Sequence, residues 1–366
     1  MKIGHVCTEY KPIKGGAETY LANLCKILAE YGCTQTVYQF NSGVQEKGLT
    51  LIPHAFKVLK GGRALDLWWF NLALLTKFVR LKSEDLVICH YAFHSLPLWW
   101  KKKVIVLSHG CEWDIPPTSL SQKLKIAIAK HSFTHFKYLV ANDTNYFRQM
   151  GIDVKPKTKM FEEVLPGKWF IPNCVDTEYF KPADPVSDFP QHSILVPRNI
   201  SRPRGIHLAI QAFAKFHVDF PETNLVIVGD FFDLNYKQEL FKLINQEKLK
   251  EKVFFKGSID WKKMPQVYSA SEMTIIPTLQ REGTSLAALE SMSCGIATVS
   301  TNAQGLVDLP TDQSDPNSED LSNVMKKTYQ NRNVVSKKQQ QKVKDIYNLE
   351  NWKNAWLKVV KEAQKC

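Results

Sequence analysis

Short apolar runs alternate with amphipathic helical stretches along all 366 residues, and this rhythm constrains the fold more than any other feature of the chain. In the first half, strand-like runs fall at 2–7, 34–40, 86–90, 104–108, 138–141 and 169–171, with helical spacing at 17–31, 64–82 and 120–136. In the second half, runs at 193–196, 224–228, 253–256, 273–276 and 297–300 are separated by helical patterns at 207–216, 236–246, 264–270 and 286–294. Near-continuous apolar runs spaced by helices favour parallel βαβ units covered on both faces. A shift to Pro, Asp and Ser over 172–192 reads as a linker between two such domains, and the length agrees with roughly 150 residues per domain. The expected domains are 1–175 and 176–366. Residues 311–319 read as a surface loop, and 337–365 as a solvated region closing with a long helix, about 345–366, that packs back on the first domain.

Composition removes other classes. Hydrophobic residues at 44% and charged residues at 23% exclude collagen-like, low-complexity and globally disordered chains. Eight cysteines form no CxxC and carry no histidine pair at zinc spacing, so they read as reduced core thiols of a cytoplasmic protein. The first residues lack a signal-peptide core, and the longest apolar stretch, 67–76, is half of the ~20 residues a membrane span needs. Net charge is +12, and residues 1–180 hold 23 basic against 15 acidic side chains. Such a field attracts nucleic acid, an anionic membrane or a phosphorylated ligand without choosing among them.

Three strand-to-helix junctions concentrate chemistry, and in open α/β sheets ligands bind where such junctions converge. Residues 11–18 (KPIKGGAE) place Gly15 and Gly16 before a helix whose free N–H groups suit phosphate; the alternative is a plain glycine turn. Residues 197–205 (PRNISRPRG) carry Arg198, Arg202 and Arg204 at a strand end, which suits bidentate phosphate recognition or a solvated basic loop. In residues 281–295, Glu282 precedes Gly283, the cap-like pair Thr284 and Ser285, and a helix from Leu286 that carries Glu290. A diphosphate at that helix start would meet backbone N–H groups, with a carboxylate on each side for sugar hydroxyls; a mere capping acid is the alternative.

Glu282-x7-Glu290 resembles the paired-glutamate signature of the retaining, GT-B-fold family-4 glycosyltransferases. The resemblance runs nearly full length: KGGAE at 14–18, IPNCVD at 171–176 with FKP at 180–182, Arg198 with Arg204-Gly205, VGD at 228–230, VFFKG at 253–257 and YNLENW at 347–352. It implies two Rossmann-like domains, parallel sheets flanked by helices, with an inter-domain cleft. It also implies that Arg198 and Arg204 bind the donor pyrophosphate, that Glu290 holds the ribose, and that Glu282 and Gly283–Leu286 meet the sugar. Gly15 and Gly16 would approach the diphosphate, and His109 would lie near the anomeric centre, with His90 and His94 on the acceptor side. Departures are Pro197 before Arg198, Arg204 in place of Lys, Thr284-Ser285 after Gly283, and Cys174 in the IPNCVD segment.

The implied reaction is retaining transfer of a hexose-type sugar from a UDP- or GDP-sugar to an acceptor hydroxyl, with Glu282 and His109 as the catalytic candidates. No DxD occurs, so neither a metal nor any other cofactor is expected, and the nucleotide sugar is a substrate. Trp, Phe and Leu beside Lys and Arg at 65–82 and 96–103 suit docking on the inner face of an anionic membrane, with a lipid-linked saccharide or lipopolysaccharide precursor as acceptor; a core face with solvated lysines is the alternative. Nucleic acid is not an expected partner. A nucleotide-sugar 2-epimerase and a non-catalytic basic membrane-binding protein are the rivals; a dehydrogenase is disfavoured by the missing GxGxxG.

Overall fold

The computed structural model describes residues 1–13, 15–56, 62–111, 117 and 119–365, so Lys14 of the glycine loop and Cys366 lie outside the described residues. The chain divides into two units. The first comprises Met1–Val154, Phe161–Ile171 and the stretch from Trp352 onward; the second comprises Lys155–Met160 and Pro172–Asn351.

In the first unit the elements run β1 (Lys2–Val6), α1 (Gly16–Glu30), β2 (Thr34–Phe40), β3 (Leu49–Ile52), α2 (Gly62–Leu75), α3 (Phe78–Ser83), β4 (Leu86–Cys89), β5 (Val104–Ser108), α4 (Leu120–His135), β6 (Tyr138–Ala141), α5 (Thr144–Gln149), β7 (Glu162–Leu165) and β8 (Lys168–Phe170). Among the described residues they form a sheet of order β3-β2-β1-β4-β5-β6-β8-β7, parallel except for β7 on the edge. Val87, Val104, Val106, Leu139 and Phe170 are sealed in its core with Phe70 and Leu74.

The second unit runs β9 (Ser193–Pro197), α6 (Ile206–His217), β10 (Asn224–Val228), α7 (Leu234–Gln246), β11 (Val253–Gly257), α8 (Met264–Ser269), β12 (Met273–Ile276), α9 (Leu286–Ser293), β13 (Ala297–Thr301), β14 (Asp312–Ser314), α10 (Ser318–Gln330) and α11 (Arg332–Ile346). Its sheet is parallel with order β11-β10-β9-β12-β13-β14. Helix α6 buries Ile206, Ala209, Ile210, Phe213 and Phe216, a stripe at i, i+3, i+4 that lies on Ile194, Val196, Leu225 and Ile227. Both sheets build outward from their first strand and then return to its other side, so the order reverses between β1 and β4 and between β9 and β12. That reversal opens a crevice at the carboxyl ends of the strands.

Three expectations need correction. Residues 64–82 form two helices, because the Thr76 hydroxyl donates to the Ala73 carbonyl at 2.7 Å and competes with the helical ladder. The loop read at 311–319 contains β14, paired to β13 through Val299 and Asp312. The linker read at 172–192 packs on the second unit: Phe180 is buried, Tyr179 stacks on Trp261 with centroids 4.6 Å apart, and Val175 N–H donates to the Tyr347 carbonyl at 2.8 Å. Residues 337–365 close with the long helix expected of them. They end in α12 (Leu349–Gln364), which buries Trp352, Trp356, Val359, Val360 and Ala363. Trp356 Nε1–H donates to the Tyr20 hydroxyl of α1 at 2.9 Å, and the Tyr138 hydroxyl of β6 donates to the Glu362 carbonyl at 3.2 Å.

Helices α2 and α3 bury Phe70, Leu74 and Leu81, while Leu65, Leu72, Leu75 and Val79 point outward, Val79 with 82% of its surface exposed. Phe78 and the exposed Trp100 lie ring to ring at 4.4 Å and extend this face. Among the described residues no helix is long and apolar enough to cross a membrane.

Candidate active site

At the carboxyl end of β9 the chain turns through Arg198 and a short 3-10 turn, Arg202–Arg204, into α6. Gly205 makes that turn possible. Its φ is +70°, and a Cβ there would fall 1.8 Å from the Pro277 carbonyl oxygen, so a side chain is excluded twice over. Pro277 and Thr278 follow β12, the strand next to β9. The turn is thereby pressed against the loop leading to α9, and residues 80 positions apart share one site.

Glu282 is the hub. Its carboxylate accepts from Arg198 and forms a second ion pair with Arg204. Arg198 also donates to the Thr278 hydroxyl at 2.9 Å and to the Ser285 hydroxyl at 3.2 Å. Ser285 is the N-cap of α9, and its side chain makes no bond to the helix start, which leaves the first N–H groups without a side-chain cap. Glu282 is held from behind: its N–H donates to Gln304 Oε1 at 2.7 Å and its carbonyl accepts from Gly305 N–H at 3.2 Å. A turn inside α9, Glu290 accepts from the Tyr268 hydroxyl at 2.8 Å.

Burial sets the electrostatics. It pushes the Glu290 carboxyl up to about 7, against the opposing pull of Tyr268 and Arg198. Burial lowers Arg198 to about 10; the charge of Arg198, then burial, lowers Arg204 to about 9. Both arginines stay cationic at neutral pH, with the Glu282 carboxylate against them as counter-charge. Two cations, a helix start and two carboxylates in one crevice fit a ligand that combines phosphate with hydroxyls.

The structure thus brings Arg198, Arg204, Glu282 and Ser285 together and sets Glu290 beside them. Gly283 continues the same loop and Leu286 opens α9. Thr284 turns elsewhere: its hydroxyl accepts from Asn173 N–H at 2.7 Å and its carbonyl accepts from the Asn173 side chain. The third arginine, Arg202, pairs with Glu239 instead.

In the first unit the same strand-order reversal gathers histidines. His5 of β1 registers with Ile88 of β4, so His90 lies one strand over and two residues further along; His109 repeats that step from β4 to β5. All three rings therefore share one face. His5 Nδ1 lies 3.2 Å from His90 Nε2, and His90 Nδ1 lies 3.4 Å from His109 Nε2. Tyr20 meets the His109 ring edge to face at 4.9 Å. Burial lowers His5 and His109 to about 4 and holds His90 well below the ordinary imidazole range. His94 stands apart, bonded to Asn71 at 2.7 Å and lowered to about 3 by burial. Gly15 caps α1 in extended backbone, φ −144°, and Gly16 opens that helix. Any residue adopts that conformation, so the turn itself does not demand glycine at 15.

Sequence reading gave no role to His5, Thr278, Tyr268, Asn173 and Gln304. His5 left one signal, an imidazole inside the otherwise apolar run KIGHVC. Among the described residues no group of three His, Cys, Asp or Glu side chains is arranged to hold a metal ion.

Comparison with known proteins places this geometry. Residues 183–346, inside the second unit, match the family model of glycosyl transferases group 1. One component of the phosphatidylinositol N-acetylglucosaminyltransferase of Arabidopsis thaliana is 26% identical over 178 residues, 47% of this chain and 39% of that protein, so the chain spans about two fifths of that relative's length. Sucrose-phosphate synthase from Thermosynechococcus elongatus superposes with a TM-score of 0.79 at 15% identity, covering 99% of this chain and 98% of that one. Anabaena HepE, solved in complex with UDP-glucose, superposes with a TM-score of 0.75 at 17% identity over 100% of both chains. At those identities the likeness speaks for the fold, which is GT-B. Fold, residue spacing and family match agree, and residues 183–346 of this GT-B chain form a glycosyl transferases group 1 domain.

Proposed function

We propose that this protein transfers a hexose from a nucleotide diphosphate sugar, UDP- or GDP-linked, to an acceptor hydroxyl with retention of anomeric configuration. The observation that carries the reading is the convergence of Arg198, Arg204, Glu282 and the start of α9 at the strand-order reversal of the second unit. Negative charge grows on the departing diphosphate, and preorganised cations and N–H groups stabilise it without a DxD-held metal. Arg198 and Arg204 take the diphosphate, and Gly15 and Gly16 are further candidates for donor binding. Glu290 accepts from the ribose hydroxyls, while Glu282 positions the sugar and His109 serves the reacting centre. HepE binds UDP-glucose, which supports a nucleotide sugar as donor.

The acceptor on this reading is lipid-linked. The outward face of α2 and α3 with Trp100, beside Lys101, Lys102 and Lys103, suits an anionic membrane surface. The name of the Arabidopsis relative, which couples N-acetylglucosaminyl transfer to phosphatidylinositol, supports a lipid acceptor.

The test has two steps. Thermal-shift screening against UDP-, GDP- and ADP-sugars should single out one donor, because a bound ligand stabilises the fold by mass action. That donor is then incubated with and without lipid-extract acceptor. Sugar transferred only when acceptor is present supports the proposal; a changed sugar without acceptor points to an epimerase, and no turnover with intact vesicle binding points to a non-catalytic binder.

A further inference from the structure

We infer that Gln35, His5 and His90 form a hydrogen-bonded chain that fixes the tautomer of His109 and leaves its Nδ1 as a bare acceptor. Direction enters the chain at Gln35. One end of its amide lies 2.7 Å from the Cys25 carbonyl of α1, which only accepts, so that end is the NH2 group. The other end is therefore the amide oxygen, and it lies 3.0 Å from His5 Nε2. An oxygen there requires a proton on His5 Nε2, which leaves Nδ1 of a neutral His5 with a lone pair. His90 Nε2–H then donates to His5 Nδ1, and His109 Nε2–H donates to His90 Nδ1. Each ring passes the same polarity to the next, and a second proton on His5 or His90 would set N–H against N–H. Among the described residues His109 Nδ1 has no hydrogen-bond partner, and the ring is only partly covered.

The row is not a metal site, since the three rings hand protons along a line and do not converge. Its consequence is a choice of ligand chemistry. A neutral imidazole presenting Nδ1 accepts from a hydroxyl and gives nothing to a phosphate oxygen. Resting on the transferase reading above, this assigns His109 to a sugar hydroxyl and not to the diphosphate. Gln35, His5 and His90 act through it as positioning residues.

The experiment is long-range 1H–15N correlation on the full chain labelled at histidine, without substrate, at pH 7.5, with resonances assigned through His109→Asn and His90→Phe. The expected spectrum shows Nε2 protonated and Nδ1 unprotonated in His5, His90 and His109. Gln35→Leu removes the acceptor that orients the row, and His90→Phe severs it. In either variant the two His109 nitrogen resonances should move toward one another as both tautomers become populated. Should a variant fail to fold, the wild-type spectrum decides alone. A His109 protonated at Nδ1 in the wild type, or a His109 signal unmoved in both folded variants, overturns the inference. Because no substrate is present, the expected spectrum from a protein that transfers no sugar upholds the tautomer chain while rejecting the transferase reading.

Discussion

Glu282 divides one carboxylate between two arginines, and on the proposed reading that pairing competes with an incoming phosphate for the same cations. Glu282→Gln should free the guanidiniums. UDP or GDP without a sugar is expected to bind on the order of tenfold more tightly, about 1.4 kcal/mol. Stability should fall by roughly 2 kcal/mol as the largely covered Arg198 and the partly exposed Arg204 lose their counter-charge. Titration calorimetry and urea unfolding read the two effects, and unchanged nucleotide affinity would show that Glu282 does not compete. Arg198, Arg204 and Glu282 were legible beforehand because each lies between a strand and the helix after it, and Glu290 because it stands at a fixed spacing inside α9. Thr278, Tyr268 and Gln304 were not, since their contacts arise only from register between strands distant in sequence. His5 was hidden for the same reason: nothing local tells that β1 and β4 align it with His90.

At the level of elements, the fully buried strands were readable because both faces of a parallel sheet demand apolar side chains. What escaped notice was short or polar. β3 is four residues, LTLI; β7 carries Glu162 and Glu163 on an antiparallel edge; β14, DQS, has no apolar side chain at all. These form by pairing with a neighbour already in place, not by their own pattern. The turn into α6 yields a sharp prediction. Gly205→Ala sets a methyl against the Pro277 carbonyl in left-handed backbone and should cost about 3 kcal/mol or more, read as a lowered urea midpoint. The histidines on and near the first sheet yield another. Their folded values lie near 4 for His5 and His109 and near 3 for His94, against 6.5 when exposed. Unfolding therefore takes up protons below about pH 6.5, and stability present above that pH is lost as acid is added toward 4. Each ring contributes a slope of about 1.4 kcal/mol per pH unit there. Urea unfolding at pH 7, 6 and 5 should show that decline, and His94→Leu should make it shallower by one proton.

For the whole molecule, the proposed docking on an anionic surface would use the net charge of +12 and the apolar face on α2 and α3 together. Val79→Asp with Trp100→Glu should abolish co-flotation with vesicles containing anionic lipid at low salt, while leaving the unfolding midpoint within about 0.5 kcal/mol of the parent. Unimpaired flotation of the double variant would remove the membrane from the proposal. The chain path holds one more lesson. Helix α12 supplies Trp352 and Trp356 to the core around Tyr20, yet it is made only after every residue of the second unit. During synthesis the N-terminal sheet must wait, its apolar slot open, until the ribosome has delivered some 180 further residues. A nascent chain stalled before Trp352 carries a complete second unit and an unfinished first one, which makes that stretch a checkpoint for quality control and not a dispensable tail.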